Sequence, residues 1–265
     1  MAQARILVVP PEKTTVGALP ADWSGVAEVR TYVAGERFPL RCAQVRLGAS
    51  QQITVGPVDV ESIGYVWHGT ATAGGHRLAQ GSSFVVEQGE QLLISGESEH
   101  CDILLFAASE APASAREGGH VHILPDELVP RDHALTESGL SGGMHADSQC
   151  PTCSVWLHEN GFPGAPEPAT PEEQSVGVHS HSEDEIIFVV SGEIRLGRKL
   201  YPAGTAIAIA ADTLYSFTAG PDGMRFINFR AGQPSDIQFA NGNSMNEVEY
   251  WREKLPRPEY LEPVA

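Results

Sequence analysis

The chain has 265 residues, enough for one large domain or two small ones, and its 42% apolar content is ordinary for a soluble globular protein. A formal net charge of −17 repels phosphate backbones and anionic lipid surfaces, so neither nucleic acid nor a membrane is expected as a partner. The first apolar run meets Pro10 and Pro11 at once, too soon for a signal peptide, and four cysteines are too few for a disulfide-stapled fold, so a reduced, cytoplasmic protein is expected.

The chain contains itself twice. With an offset of 123 residues, Ile63 matches Ile186, Val66 matches Val189, Gly69 matches Gly192, Gly81 matches Gly204 and Phe106 matches Phe229. No gap is needed between Gly56/His179 and Phe106/Phe229. The identities fall on turn glycines and strand apolars, the positions that a shared backbone would fix. Upstream, with gaps, Ala4–Pro10 resembles His120–Pro125, and Cys42–Leu47 resembles Cys153–Leu157. This predicts a first domain over 1–112, a second over 113–240 and a helical tail over 241–265. Residues 108–119 have the composition of a linker, and Glu159 to Pro171 reads as an extra loop in the second copy.

Taken in order, His120-Val-His122 reads as a strand start. Glu185–Val190 is an apolar, β-branched strand ending in a turn at Ser191-Gly192-Glu193, and Glu193–Leu196 alternates as a second strand. Tyr201–Gly204 is a turn, and Thr205–Ala210 and Met224–Phe229 are strands. Ser244–Leu255 has helical spacing at Met245, Val248, Trp251 and Leu255, with Ser244 or Asn243 as N-cap, and is expected on the outside of a barrel. Short strands punctuated by 27 glycines and 19 prolines indicate a sandwich or barrel rather than a helical bundle.

The chemistry-bearing stretch is Gly177-Val-His179-Ser-His181-Ser-Glu-Asp-Glu185. On a strand, residues two apart share a face, so His179 and His181 project together, with Glu185 four beyond. Two imidazoles and one carboxylate can hold one face of a divalent ion and leave the other open. This segment, through Gly192, resembles the first conserved motif of the cupin superfamily. A second motif is met at Pro202-Ala-Gly204 and beyond. The resemblance implies an all-β fold of two tandem cupin (double-stranded β-helix, jelly-roll) barrels with a short C-terminal helix.

In that family a histidine usually supplies a fourth ligand, but Tyr215 stands at its place, and Ala219 stands at the place of a following asparagine. Tyr215 could be a metal ligand as phenolate, a hydrogen-bond donor or general acid beside the metal, or barrel filling. In the first copy Gly56, Val58, Ser62 and Leu92 stand at the ligand positions, so that barrel is expected to carry no metal. One divalent ion per chain is expected, Fe(II) first, with Mn, Ni or Zn as alternatives.

Trp156, His158, Asn228 and Arg230 lie on strands that could line the same barrel, where Arg230 could receive a substrate carboxylate. Cys150-Pro-Thr-Cys153 could be redox-active or half of a zinc site. No second Cys-x-x-Cys exists, so it reads as structural or incidental. Three functions fit these residues. The leading one is a non-haem iron dioxygenase acting on a small organic substrate. The others are a redox-neutral isomerase, lyase or decarboxylase, and a non-catalytic ligand-binding protein. The oligomeric state allowed for beyond the monomer is a homodimer.

Overall fold

The alternation of apolar and polar residues between glycine turns becomes short antiparallel strands in the computed structural model. It describes residues 5–20, 23–36, 38–111, 118–166 and 177–264. Among these residues the strands form sheets of eight, seven, five and three strands, and one α-helix, Glu247–Lys254, follows them. Three parts of the sequence reading, residues 1–4, 112–117 of the linker and 167–171 of the extra loop, lie outside the described residues.

Two barrels result. In the first, apolar side chains including Val45, Val66, Ile94 and Ile103 fill the space between the seven- and five-stranded sheets. In the second, Ile187, Val189, Ile207, Ile209 and Phe226 fill the interior behind the eight-stranded sheet. The seven- and eight-stranded sheets pack on one another through a third core that includes Ile63, Phe106, Ile186 and Phe229.

The 123-residue offset is kept in the hydrogen-bond register. Ser83 pairs with Tyr65 and Ala206 with Phe188, while Phe106 pairs with Ile63 and Phe229 with Ile186. The matched Phe106 and Phe229 stack on each other with ring centroids 5.4 Å apart. Trp67 Nε1 donates to the carbonyl of Val190, its own counterpart, at 3.0 Å. The two copies therefore bury like against like around a pseudo-twofold relationship.

Hydrogen bonding does not follow the 112/113 division. Strand Ile6–Val9 pairs with Ala206–Ile209 of the second barrel, and Val121–Leu124 pairs with Ser83–Val86 of the first. Each half lends its opening strand to the other's sheet and so covers an open edge.

Four details of the sequence reading are corrected. Glu185–Val190 and Glu193–Leu196 form one strand, Glu185–Leu196, because bulges near Val190 and Glu193 bend it around the barrel without ending it. Glu159 does not open a loop but lies within the strand Trp156–Phe162. The helix begins at Glu247 behind the cap Asn246, whose Oδ1 accepts from the Glu249 N–H at 2.8 Å, so neither Ser244 nor Asn243 is the cap. Nor does it sit on an outer wall. Val248, Trp251 and Leu255 pack with Leu135, Met144 and Trp156, which closes the mouth of the second barrel.

Candidate metal centres

Under that helix lies a buried polar centre. Its carboxylate, Glu185, opens the central strand Glu185–Leu196 and is 1% exposed. Its Oε1 accepts from the Tyr215 hydroxyl at 2.5 Å, and its Oε2 accepts from Asn228 Nδ2 at 2.7 Å and from Arg230 Nη2 at 3.1 Å. Arg230 Nη1 donates to Glu247 Oε2 at 2.5 Å. Burial pushes Glu185 up, but the neighbouring Arg230, then His181, then the bonds from Tyr215 and Asn228 outweigh it and hold the carboxyl at about 2. Burial and then the Arg230 charge push His181 down to about 3, which leaves a neutral ring with a free nitrogen lone pair.

The two histidines stand differently. His181 is buried, with Nε2 4.0 Å from Glu185 Oε2 and 3.3 Å from Arg230 Nη2, and Nδ1 3.5 Å from Glu247 Oε2. His179 sits nearer the rim, half-buried. Its backbone bridges Tyr215 through paired N–H···O bonds of 3.0 Å, and its Nδ1 donates to Gly177 O at 2.6 Å. His179 thus ties Nδ1 to a carbonyl and keeps Nε2 for a ligand, the arrangement that fixes metal-binding imidazoles, whereas His181 Nε2 faces Arg230 and its buried Nδ1 has no hydrogen-bond partner among the described residues.

By donor type these residues fit a divalent ion. One feature of the structure opposes closure. The Arg230 guanidinium lies against both His181 and Glu185, where a cation would sit, and the donors of His179, His181 and Glu185 do not all gather within 4.8 Å of one another. Arg230 pairs with Glu185 and Glu247 through Nη2 and Nη1, while its buried Nε has no hydrogen-bond partner among the described residues. Tyr215 faces inward as expected, with its hydroxyl on Glu185. Trp156 and His158 are buried under the helix, where Trp156 Nε1 donates to His158 Nδ1 at 2.8 Å and His158 lies against Trp251. Glu247 escaped the sequence reading, because the apolar spacing of its helix marks Val248 and Trp251 but carries no sign of a carboxylate beside them. In the first barrel Val58 and Leu92 are core residues, and Ser62 occupies the place of Glu185.

A second cluster lies outside both barrel interiors. Glu87, His122, Cys150 and Cys153 bring their donor atoms within 4.8 Å of one another, the one such group found among the described residues. Sequence reading had set His122 aside as a strand start and the cysteines as incidental. Their partners lie far off in the chain, and only the strand exchange brings them together.

No protein-family model matches the sequence, and no curated protein matches it. Solved structures match in shape. The protein Ylba from E. coli covers 86% of this chain and 91% of its own at 14% identity, with a TM-score of 0.63. A putative glyoxylate induced protein from Pseudomonas aeruginosa covers 86% of this chain and 88% of its own at 13% identity, with a TM-score of 0.62. Bacillus subtilis oxalate decarboxylase, described with Mn(II) centres, covers 88% of this chain and 79% of its own at 13% identity, with a TM-score of 0.62. The fold is the all-β cupin fold. At such identities the likeness extends to architecture alone, and function rests on the site.

Proposed function

We propose that the second barrel is the centre of a metal-dependent cupin enzyme acting on a small organic substrate. His179, His181 and Glu185 would hold one divalent ion. The observation that carries this reading is the buried, neutral His181, whose Nε2 lies 4.0 Å from the ionised Glu185, with the His179 ring beside it at 5.1 Å between centroids. A bound ion would supply Lewis acidity or, as Fe(II), a site for O₂. Tyr215 and Asn228 orient Glu185 through its two oxygens. Arg230 supplies positive charge between Glu185 and Glu247, so loading the ion requires the guanidinium to draw toward Glu247. The helix Glu247–Lys254 excludes water and must shift for substrate to enter.

Among the chemistries, Fe(II)-dependent dioxygenation is the reading that the two-histidine, one-carboxylate donor set favours. A redox-neutral lyase or decarboxylase is the second reading, supported by the architecture shared with a manganese decarboxylase. Anaerobic reconstitution with Fe(II) and with Mn(II), in wild type and His181→Ala, tests both. Ion uptake lost in the variant supports the barrel site, and O₂ consumption by the iron form favours dioxygenation. If uptake is equal in the two proteins, the barrel reading fails.

A further inference from the structure

We propose that Glu87, His122, Cys150 and Cys153 form a closed four-ligand zinc site that ties the second barrel to the first. This site is separate from the barrel interior, and its claim does not depend on the reading above.

The ligands come from three segments. Glu87 follows the strand Ser83–Val86 directly, and His122 lies on the paired strand Val121–Leu124, in register with Val85. The Cys150–Cys153 turn comes from the second half, after the strand Ser141–Asp147. Glu87, Cys150 and Cys153 are buried, and His122 is partly so.

The donors aim at one point. Glu87 Oε1 lies 2.6 Å and Cys150 Sγ 3.4 Å from the same ring nitrogen, His122 Nε2. A thiol–imidazole–carboxylate relay would place acid and thiol on opposite ring nitrogens. Here both approach one nitrogen, as ligands gather around an ion. With Zn–S near 2.3 Å and Zn–N near 2.0 Å, a tetrahedral ion separates sulfur from nitrogen by about 3.5 Å, close to the distance found. The Glu87–His122 contact is a hydrogen bond that would open by about 0.7 Å to admit the metal.

Surrounding bonds hold this arrangement in place. Thr152 Oγ1 donates to Glu87 Oε1 at 2.6 Å, and the His120 N–H donates to Glu87 Oε2 at 2.9 Å. The N–H and hydroxyl of Ser154 both donate to Glu61 at 3.0 Å and pin the cysteine turn to the first barrel. A groove of about 540 Å³ lined by His122, Cys150, Thr152 and Tyr260 gives an ion access.

Two sulfurs suit a soft, borderline ion, and four protein donors leave no position for substrate. That is the pattern of a structural site. Binding displaces the protons of the two thiols into solvent and involves no electron transfer.

The test uses the purified full chain. Zinc analysis after dialysis should find about one retained ion, and cobalt exchange should give the visible bands of a tetrahedral thiolate site. Cys150→Ser and Cys153→Ser should lose that ion and those bands, while His181→Ala keeps them. The wild-type cobalt spectrum needs no variant to fold. A spectrum without thiolate-to-metal absorption would overturn the proposal. So would protein prepared under reducing conditions that holds no zinc, or a Cys150–Cys153 disulfide as the resting state.

Discussion

Arg230 Nη2 stands 3.1 Å from Glu185 Oε2 at the centre of the second barrel, with both side chains 1% exposed. Two buried opposite charges in such contact form a unit, because removing one leaves the other without compensation in a medium that solvates it poorly. On the proposed reading the pair also lies where the ion would bind, so occupancy by guanidinium and by metal would be linked.

Arg230→Met should therefore lower stability in metal-free protein by about 3–5 kcal/mol, the usual cost of orphaning a buried charge. Denaturant titration would measure this. Added Mn(II) or Fe(II) should recover more stability in the variant than in wild type, since the ion would replace the missing positive charge. Equal recovery in both would mean that Arg230 and the ion do not share a place.

The acid limb of the stability curve in metal-free protein follows from depressed buried groups, His158 and Glu159 together with His181 and Glu185. His181 titrates at about 3 in the fold and near 6.5 when unfolded, so the unfolded chain binds the extra proton between those values. Glu185 titrates at about 2 against about 4.3 unfolded. Both contributions are whole above the unfolded values and are lost as pH falls. Stability should decline from about pH 6.5 and steepen below about 4.5. In His181→Gln the decline between pH 6.5 and 4.5 should become shallower, with the share of His158 remaining, and equilibrium unfolding at stepped pH would reveal it.

Tyr215→Phe removes one donor to a buried carboxylate, a loss of about 1.5–3 kcal/mol. If the hydroxyl only orients Glu185, the variant keeps its barrel ion and loses activity in proportion to that disorder. If the oxygen is a ligand, ion affinity falls instead, and isothermal titration with Mn(II) separates the two.

Trp251→Ala opens the mouth under the C-terminal helix, where the indole packs beside His158 and Trp156. A fully packed tryptophan costs about 3–5 kcal/mol to truncate. Hydrogen exchange should rise first at Glu247–Lys254 and at the His181 loop, and only later in the strand Glu185–Leu196. Uniform exchange across the barrel would show that the helix does not open as a separate unit.

The repeat, the two-barrel architecture and the inward face of Tyr215 were legible in the sequence. Each depends on local alternation or on glycine spacing, which a linear pattern records. Glu247 was not legible, because its role depends on where the helix docks. The Cys150–Cys153 turn looked like half of a site, because Glu87 and His122 reach it only through strand exchange. The pairing of Arg230 with Glu185 and Glu247 was equally hidden, since nothing in local spacing says which carboxylates will face a guanidinium.

The exchanged opening strands have a consequence during synthesis. A nascent chain that has emerged only through the first barrel presents Ser83–Val86 as an unpaired edge, and its own Ile6–Val9 has no partner until Ala206–Ile209 appears. The seven-stranded sheet is sealed once Val121–Leu124 emerges, but the eight-stranded sheet must wait for almost the whole polypeptide before Ile6–Val9 finds its partner. Cutting the chain in the linker should yield two sticky fragments that refold only in each other's company.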